Sequence, residues 1–186
     1  MMRLQISDFR LQIGCQIAAL TVVALLAPAR VVRADEIIER VLAVAGGDLI
    51  MMSDVRAARE LGLIDPGTAG DPDREVLTRL IDRALVLAEV DRYQPPEPAA
   101  DAVDAQLAAI RGRFSSSDAL NAALTRLGLD QDRLREQVRE DLRIRAYLDQ
   151  RFASENGEQR DRTIAAWIAG LRRRADVVDS YALPAR

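Results

Sequence analysis

Asp71-Pro-Asp-Arg-Glu-Val-Leu-Thr-Arg-Leu-Ile-Asp-Arg-Ala-Leu-Val-Leu-Ala88 carries the pattern that decides the fold. Asp71 is of N-cap type, and Pro72 suits the first helical position, where a missing N–H costs nothing. Val76, Leu77, Leu80, Ile81, Ala84, Leu85 and Ala88 recur at three- and four-residue steps. That stripe is wide for a surface helix and predicts one central to the core. Gln94-Pro-Pro-Glu-Pro98 ends it, with three prolines forming a stiff joint.

The same period continues C-terminally. Val103, Leu107, Ile110 and Phe114 mark a second long helix. The run Ser115-Ser-Ser-Asp118 caps a third carrying Leu120, Ala123, Leu124 and Leu127, with Gly128 just past its end and Leu129 as the apolar contact that follows. Asp130 caps a longer helix to about Phe152, lined by Leu134, Val138, Leu142, Tyr147 and Leu148. Glu136–Arg139, Glu140–Arg143 and Asp141–Arg145 stand at helical spacing on it and read as solvated pairs. Ser154 to Gly157 is a break. Ile164, Trp167, Ile168 and Leu171 then mark a last amphipathic helix, with Arg172-Arg-Arg174 where cations meet the negative end of the helix dipole.

Toward the N-terminus the period changes to two. Ile37 to Ile50 reads as strand, turn, strand, with Gly46-Gly47 as a two-residue hairpin loop. Ser53 is the expected N-cap of a short helix to about Leu61, which Gly62 ends. Ala175 to Leu183 reads as extended, with Val177, Tyr181 and Leu183 on one parity. An extended piece at each end of a helical chain predicts that the two pair. The expected fold is mainly α, about six helices, with an N-terminal β-hairpin joined by the C-terminal strand.

Composition agrees with a globular helical chain. Of 186 residues, 49% are hydrophobic and only 4% aromatic, so the core must be aliphatic. Histidine and lysine are both absent, every basic residue is arginine, and the net charge is −3. That balance argues against nucleic acid as a partner. Lack of histidine removes the commonest general base and metal ligand, so neither a catalytic centre nor a metal or other cofactor is expected.

The first 34 residues read as an address. Arg3 and Arg10 precede an apolar run, Ile13 to Ala29, and Val32-Arg-Ala34 has the small-residue pattern of a cleavage site before Asp35. A second cut is available after Ala29, and an uncleaved anchor is the alternative, since the run reaches the lower limit of a membrane span. Cys15 precedes most of that run and does not fit lipidation. Cleavage would leave residues 35–186 with no cysteine and, after loss of four arginines and one aspartate, a net charge of −6.

Leu42-Ala-Val-Ala-Gly-Gly-Asp-Leu-Ile-Met-Met-Ser-Asp-Val55 resembles the opening of the SurA-like periplasmic chaperones. Leu77 to Glu89, the segment from Phe114 to Leu129, Leu134 to Phe152 and Arg160 to Val178 resemble, in order, the later helices and closing strand of that family's N-terminal domain. The resemblance implies one module made of residues 35–152 completed by 158–183. It also implies an exported, ATP-independent chaperone that holds unfolded envelope or outer-membrane proteins. Many members carry a parvulin-type prolyl isomerase domain before the last helix. Here only Ala153 to Gln159 fill that gap, far too few for a domain, so isomerase activity is not expected.

Met51, Met52, Phe114 and Tyr147 are the candidates for client contact, since methionines and aromatics adapt to varied apolar partners. Each fits a core position at helical spacing better. An exposed strand edge could also pair with extended clients. A structural or assembly factor that binds one defined envelope partner is the competing function. It differs in needing no groove open to many peptides.

Overall fold

The computed structural model describes residues 39–182. The expected signal segment and the start of the first strand lie outside the described residues, as does Leu183. Within them, β1 (Val41–Ala45) and β2 (Asp48–Met51) are followed by α1 (Met52–Glu60), α2 (Pro72–Tyr93), α3 (Ala100–Arg111), α4 (Ser117–Arg126), α5 (Gln131–Arg151), α6 (Gly157–Arg174) and β3 (Val178–Asp179). The chain is mainly helical with a small antiparallel sheet in the order β2-β1-β3. The hairpin and its junction with the C-terminal strand both form as the sequence predicts.

Gly46 and Gly47 turn the hairpin with φ of 63° and 97°, a left-handed pair that a two-residue loop requires. Gly46 has a second reason to be glycine. A Cβ there would lie 2.9 Å from the Ala84 carbonyl oxygen, so the turn is seated directly on α2. The alternation along β1 is broken by a bulge between Val41 and Ala43, opposite Met51 and Ile50. Leu42 and Ala43 are in consequence both buried, where strict alternation would expose one of them.

α2 is the central helix. Asp71 caps it by accepting the Arg74 N–H at 3.0 Å, and Gln94 closes it in the left-handed region at φ 45°. Val86, Leu87 and Val90 are buried along with Val76, Leu77, Ile81, Ala84 and Leu85 of the predicted stripe, because the hairpin, α1, α5 and α6 cover α2 on several sides, while Leu80 and Ala88 are half-buried. A first apolar core joins α2 to Leu42, Ile50, Val55, Tyr147 and Leu171. A second joins Leu61 to Val103, Leu107, Ile110, Leu120, Leu124, Leu134 and Val138. α5 spans both, with Leu134 and Val138 in one and Tyr147 in the other.

Four local expectations are corrected. Ser53 is not the N-cap of α1; Met51 occupies that place, and the Asp54 carboxylate accepts the Met51 N–H at 2.8 Å while the Ser53 hydroxyl donates to Glu39. α3 stops at Arg111, because Gly112 begins a turn, and Phe114 folds back onto the second core instead of extending the helix. The closing strand is only Val178–Asp179, with Tyr181 in a turn. Arg172 is not merely a dipole-facing cation: its guanidinium reaches Asp82 and donates to the Thr78 carbonyl oxygen at 2.7 Å, tying α6 to α2. Elsewhere the caps are as read, with Ser116 and Asp130 accepting the N–H groups of Ala119 and Arg133.

So short a strand needs help, and a clasp supplies it. Arg40 donates to the carbonyl oxygens of Ser180 and Tyr181, at 3.2 and 3.0 Å. The Ser180 N–H reaches the Leu42 carbonyl oxygen at 2.8 Å, and Arg74 pairs with Asp179 at 2.6 Å. The Tyr181 hydroxyl donates to the carboxylate of Asp71, at 2.9 Å. The Arg74 N–H and then that hydroxyl hold the Asp71 carboxyl below its ordinary value.

Two outcomes follow for stability. Gly46→Ala should destabilise the fold by about 1–3 kcal/mol, from left-handed strain plus the contact with α2. Gly47→Ala, with open space around it, should cost less; paired chemical denaturation curves measure the difference. Asp71 has a folded-state pKa below its unfolded one. Its contribution is therefore complete above the ordinary carboxylate pKa of about 4 and is lost as pH falls through the folded value. The drop in thermal midpoint between neutral and acid pH should be smaller in Asp71→Asn than in the parent.

Candidate functional site: an apolar trough with a paired-charge rim

Two clefts open beside α2 where its neighbours diverge; of the apolar α2 residues that line them, Ala84, Val86 and Leu87 are buried and Leu80 is half-buried. On the side facing β2, α1 and the first half of α5 lies a cleft of about 500 Å³. Its floor is Ile50, Ala58, Leu63, Ile64, Leu80, Ala84 and Leu87. Around the corner, between α2, the second half of α5 and α6, lies a second of about 400 Å³, floored by Val86, Ile144, Leu148, Ile164 and Ile168. Both volumes fall in the range of ligand sites. The clefts share Arg79, Arg83 and Asp141 and no apolar residue, so they are the two halves of a trough around α2 with an ion bridge between them.

The bridge is an ion cluster. Arg83 Nε donates to Asp141 at 2.7 Å, one Nη donates to Glu140 at 2.8 Å, and the same nitrogen approaches the Gln137 carbonyl oxygen at 3.4 Å. Burial works against the Arg83 charge, but the two carboxylates outweigh it and hold its pKa above the ordinary value. This corrects the reading of Glu140 and Asp141 as local pairs with Arg143 and Arg145. Both turn across to α2, and Arg143 goes instead to Asp91 at 2.9 Å and Glu97 at 3.7 Å, bracketing the proline joint. Only Glu136–Arg139 pairs within α5 as expected. A planar guanidinium suits such bidentate bridging, and three fixed partners set the spacing of α2 and α5 at the bridge.

Asp48, Asp54 and Arg133 line the first cleft, and among the described residues neither aspartate is in an ion pair. Burial pushes the Asp54 carboxyl up from its ordinary value. The Met51 N–H opposes this, Glu39 adds to the rise, and Arg133 counters it.

The four residues singled out as client contacts are not brought together. Met51 is half-buried at the end of β2, Met52 packs against the first core and Phe114 against the second. Tyr147 is 5% exposed. None of them lines the trough. Tyr147 instead sits in an aromatic group, 5.4 Å from Tyr93 and 6.1 Å from Trp167, with Phe152 5.8 Å beyond and the Arg151 guanidinium 5.1 Å from the Trp167 ring centre. Four of the chain's seven aromatic residues are thus spent joining the ends of α2 and α5 to α6.

The trough residues were not singled out in the sequence, although one signal was present. Leu80 and Leu87 lie seven apart on one face of α2, and Arg83 sits at the edge of that face between them. An arginine set among core positions requires an acidic partner from another element, which the pattern does not name.

Among the described residues no cluster of histidine, cysteine or acidic side chains has the makings of a metal site, and no helix is long and apolar enough to cross a membrane. No protein-family model and no curated protein matches this chain.

The Arg83 bridge should have a measurable coupling. A double-mutant cycle of Arg83→Ala and Asp141→Ala is expected to give about 1 kcal/mol, kept low by the solvent access of Asp141. Urea denaturation in low salt measures it, and the coupling should shrink in high salt.

Proposed function

We propose that the chain acts after export as an ATP-independent chaperone-like protein, holding unfolded envelope or outer-membrane polypeptides against the trough around α2. One observation carries this reading: two neighbouring clefts with apolar residues on their floors, open between helices on either side of the Arg83 bridge and rimmed by charges most of which are paired with one another. Such a surface attracts apolar segments without selecting a sequence, and the rim keeps the free protein soluble. Floor residues that are only half-buried gain modestly from each contact, at roughly 25 cal/mol per Å² of apolar area covered. Weak, distributed contact of this kind permits release without an energy source. The resemblance of residues 42–55 and of the later helices to the SurA-like chaperones supports the same reading, as does the export-signal pattern of the first 34 residues. The reading is non-enzymatic, and turnover of a prolyl peptide would overturn that part of it.

The second reading is an assembly factor for one defined envelope partner. The Arg83 bridge favours it, because a trough of set width at its centre adapts less freely to varied occupants.

Dilution of a urea-unfolded outer-membrane β-barrel protein into buffer without ATP tests the proposal by light scattering. The mature chain should suppress aggregation at near-stoichiometric amounts. Ile164→Ser, on the floor of the second cleft, should weaken protection several-fold with helical content unchanged. Absence of protection at every ratio, together with tight one-to-one capture of a single envelope protein, would favour the assembly factor.

A further inference from the structure

We propose that an extended client segment enters the first cleft by adding a fourth strand to the sheet, pairing through its backbone with the open edge of β2. The inference rests on the client-holding reading and names how the first cleft is occupied.

The hairpin geometry identifies the edge groups. A two-residue loop makes its flanking residues, Ala45 and Asp48, the hydrogen-bonded pair of the hairpin. Alternation then makes Val44 and Leu49 a non-hydrogen-bonded pair, whose N–H and C=O groups point away from each other. The far side of β1 agrees. Val44 is opposite Val178 of β3, and the neighbouring same-parity residue, Leu42, accepts the Ser180 N–H at 2.8 Å. Leu49 must therefore turn its N–H and C=O outward from β2. β2 is the terminal strand of the sheet, and no described residue outside the sheet bonds to the Leu49 backbone; the Met51 N–H is taken by the Asp54 carboxylate at 2.8 Å, so the edge open to a client is the N–H and C=O of Leu49.

What lies beside that edge is the first cleft, which Asp48, Leu49 and Ile50 border. A strand added to a sheet lies about 4.8 Å from its neighbour, so its alternate side chains would stand over the cleft floor. Leu49 itself is 60% exposed, a large aliphatic side chain left in water beside an unpaired strand edge. Natural proteins usually protect such edges, and one left open is a template for pairing.

Charge selects the occupant. Among the described residues Asp48 is in no ion pair, and the Asp54 carboxylate, which accepts the Met51 N–H, is only partly offset by Arg133. Antiparallel pairing of β2 with β2 of a second copy would bring Asp48 of each toward Asp54 of the other, four carboxylates against two Arg133 guanidinium groups. An extended peptide with alternating apolar residues and a basic residue at its end meets the same two carboxylates favourably. The partner is therefore a basic-flanked extended segment of another polypeptide, not a second copy of this chain.

The test uses the mature chain and a fluorescein-labelled peptide of about eight residues, alternating valine with threonine and ending in lysine. Fluorescence anisotropy should show binding. N-methylation of every second residue removes N–H groups of one parity. One parity of methylation should weaken binding about tenfold or more, and the other by no more than about twofold. Leu49→Pro should reproduce the larger loss, and Leu49→Ala should not, with thermal unfolding confirming that each variant folds. Equal affinity of the two methylated peptides, or no binding at all, overturns the proposal, and neither result depends on a variant that folds. A dimer in sedimentation that Leu49→Pro dissociates also overturns it, because the edge is then taken by a second copy. If the parent suppresses aggregation while the peptides of both parities bind alike, strand addition fails and client holding stands. If parity matters but aggregation is not suppressed, edge pairing stands and the client-holding reading fails.

Discussion

The structure depends on the burial of one helix from several directions. α2 is covered by the hairpin turn, α1, α5 and α6, and eight of its residues from Val76 to Val90 are buried. A helix with a single apolar stripe could be docked on one layer. One with apolar residues around most of its girth can be accommodated only by wrapping, and the remaining elements are arranged to do that. The hairpin lies close enough that Gly46 has no room for a side chain. The C-terminal strand must return to the hairpin, because β1 has a free side that β2 does not cover.

Incomplete wrapping produces the trough. Four elements meet α2 at different heights, and where they diverge the floor stays open to solvent. Several ion pairs tie α2 to its neighbours beside those openings. Arg83 bridges α2 to α5, Arg172 bridges α6 to α2, and Arg143 brackets the proline joint. With no lysine in the chain, every one of these ties is a guanidinium, which can hold two or three oxygens at once where an ammonium would act as a point charge. The same chemistry that closes the domain thus also edges its open surface. This links the stability of the fold to the shape of the surface we propose for clients.

The fold was legible to an unusual depth for particular reasons. Gly46-Gly47 between alternating residues, Asp71-Pro72 before an apolar stripe, and Gly128 before Leu129 are local signals whose physics is complete within a few residues. Each formed where it was read. The misplaced boundaries share a cause. Ser53 had the right chemistry for a cap, but Asp54 reached the free N–H of Met51 first. Phe114 kept the spacing of α3, but Gly112 freed the backbone to turn and a second core offered the ring a place. The candidate contacts Met51, Met52, Phe114 and Tyr147 were chosen by residue type, and type does not say which side of a helix faces its neighbours.

The sequence by itself determined the elements, their order, most of their caps and the centrality of α2, because periodicity and capping act over distances shorter than one helix. It also set the chemical vocabulary: arginine as the sole cation, no histidine, an aliphatic core. Only the tertiary structure decided that Glu140 and Asp141 leave their own helix for Arg83, that four aromatics gather where α2, α5 and α6 meet, and that Leu80 and Leu87 floor a cleft beside the open edge of β2. Those outcomes turn on which of several chemically equivalent partners is within reach, and distance between residues far apart in the chain exists only once the elements have packed.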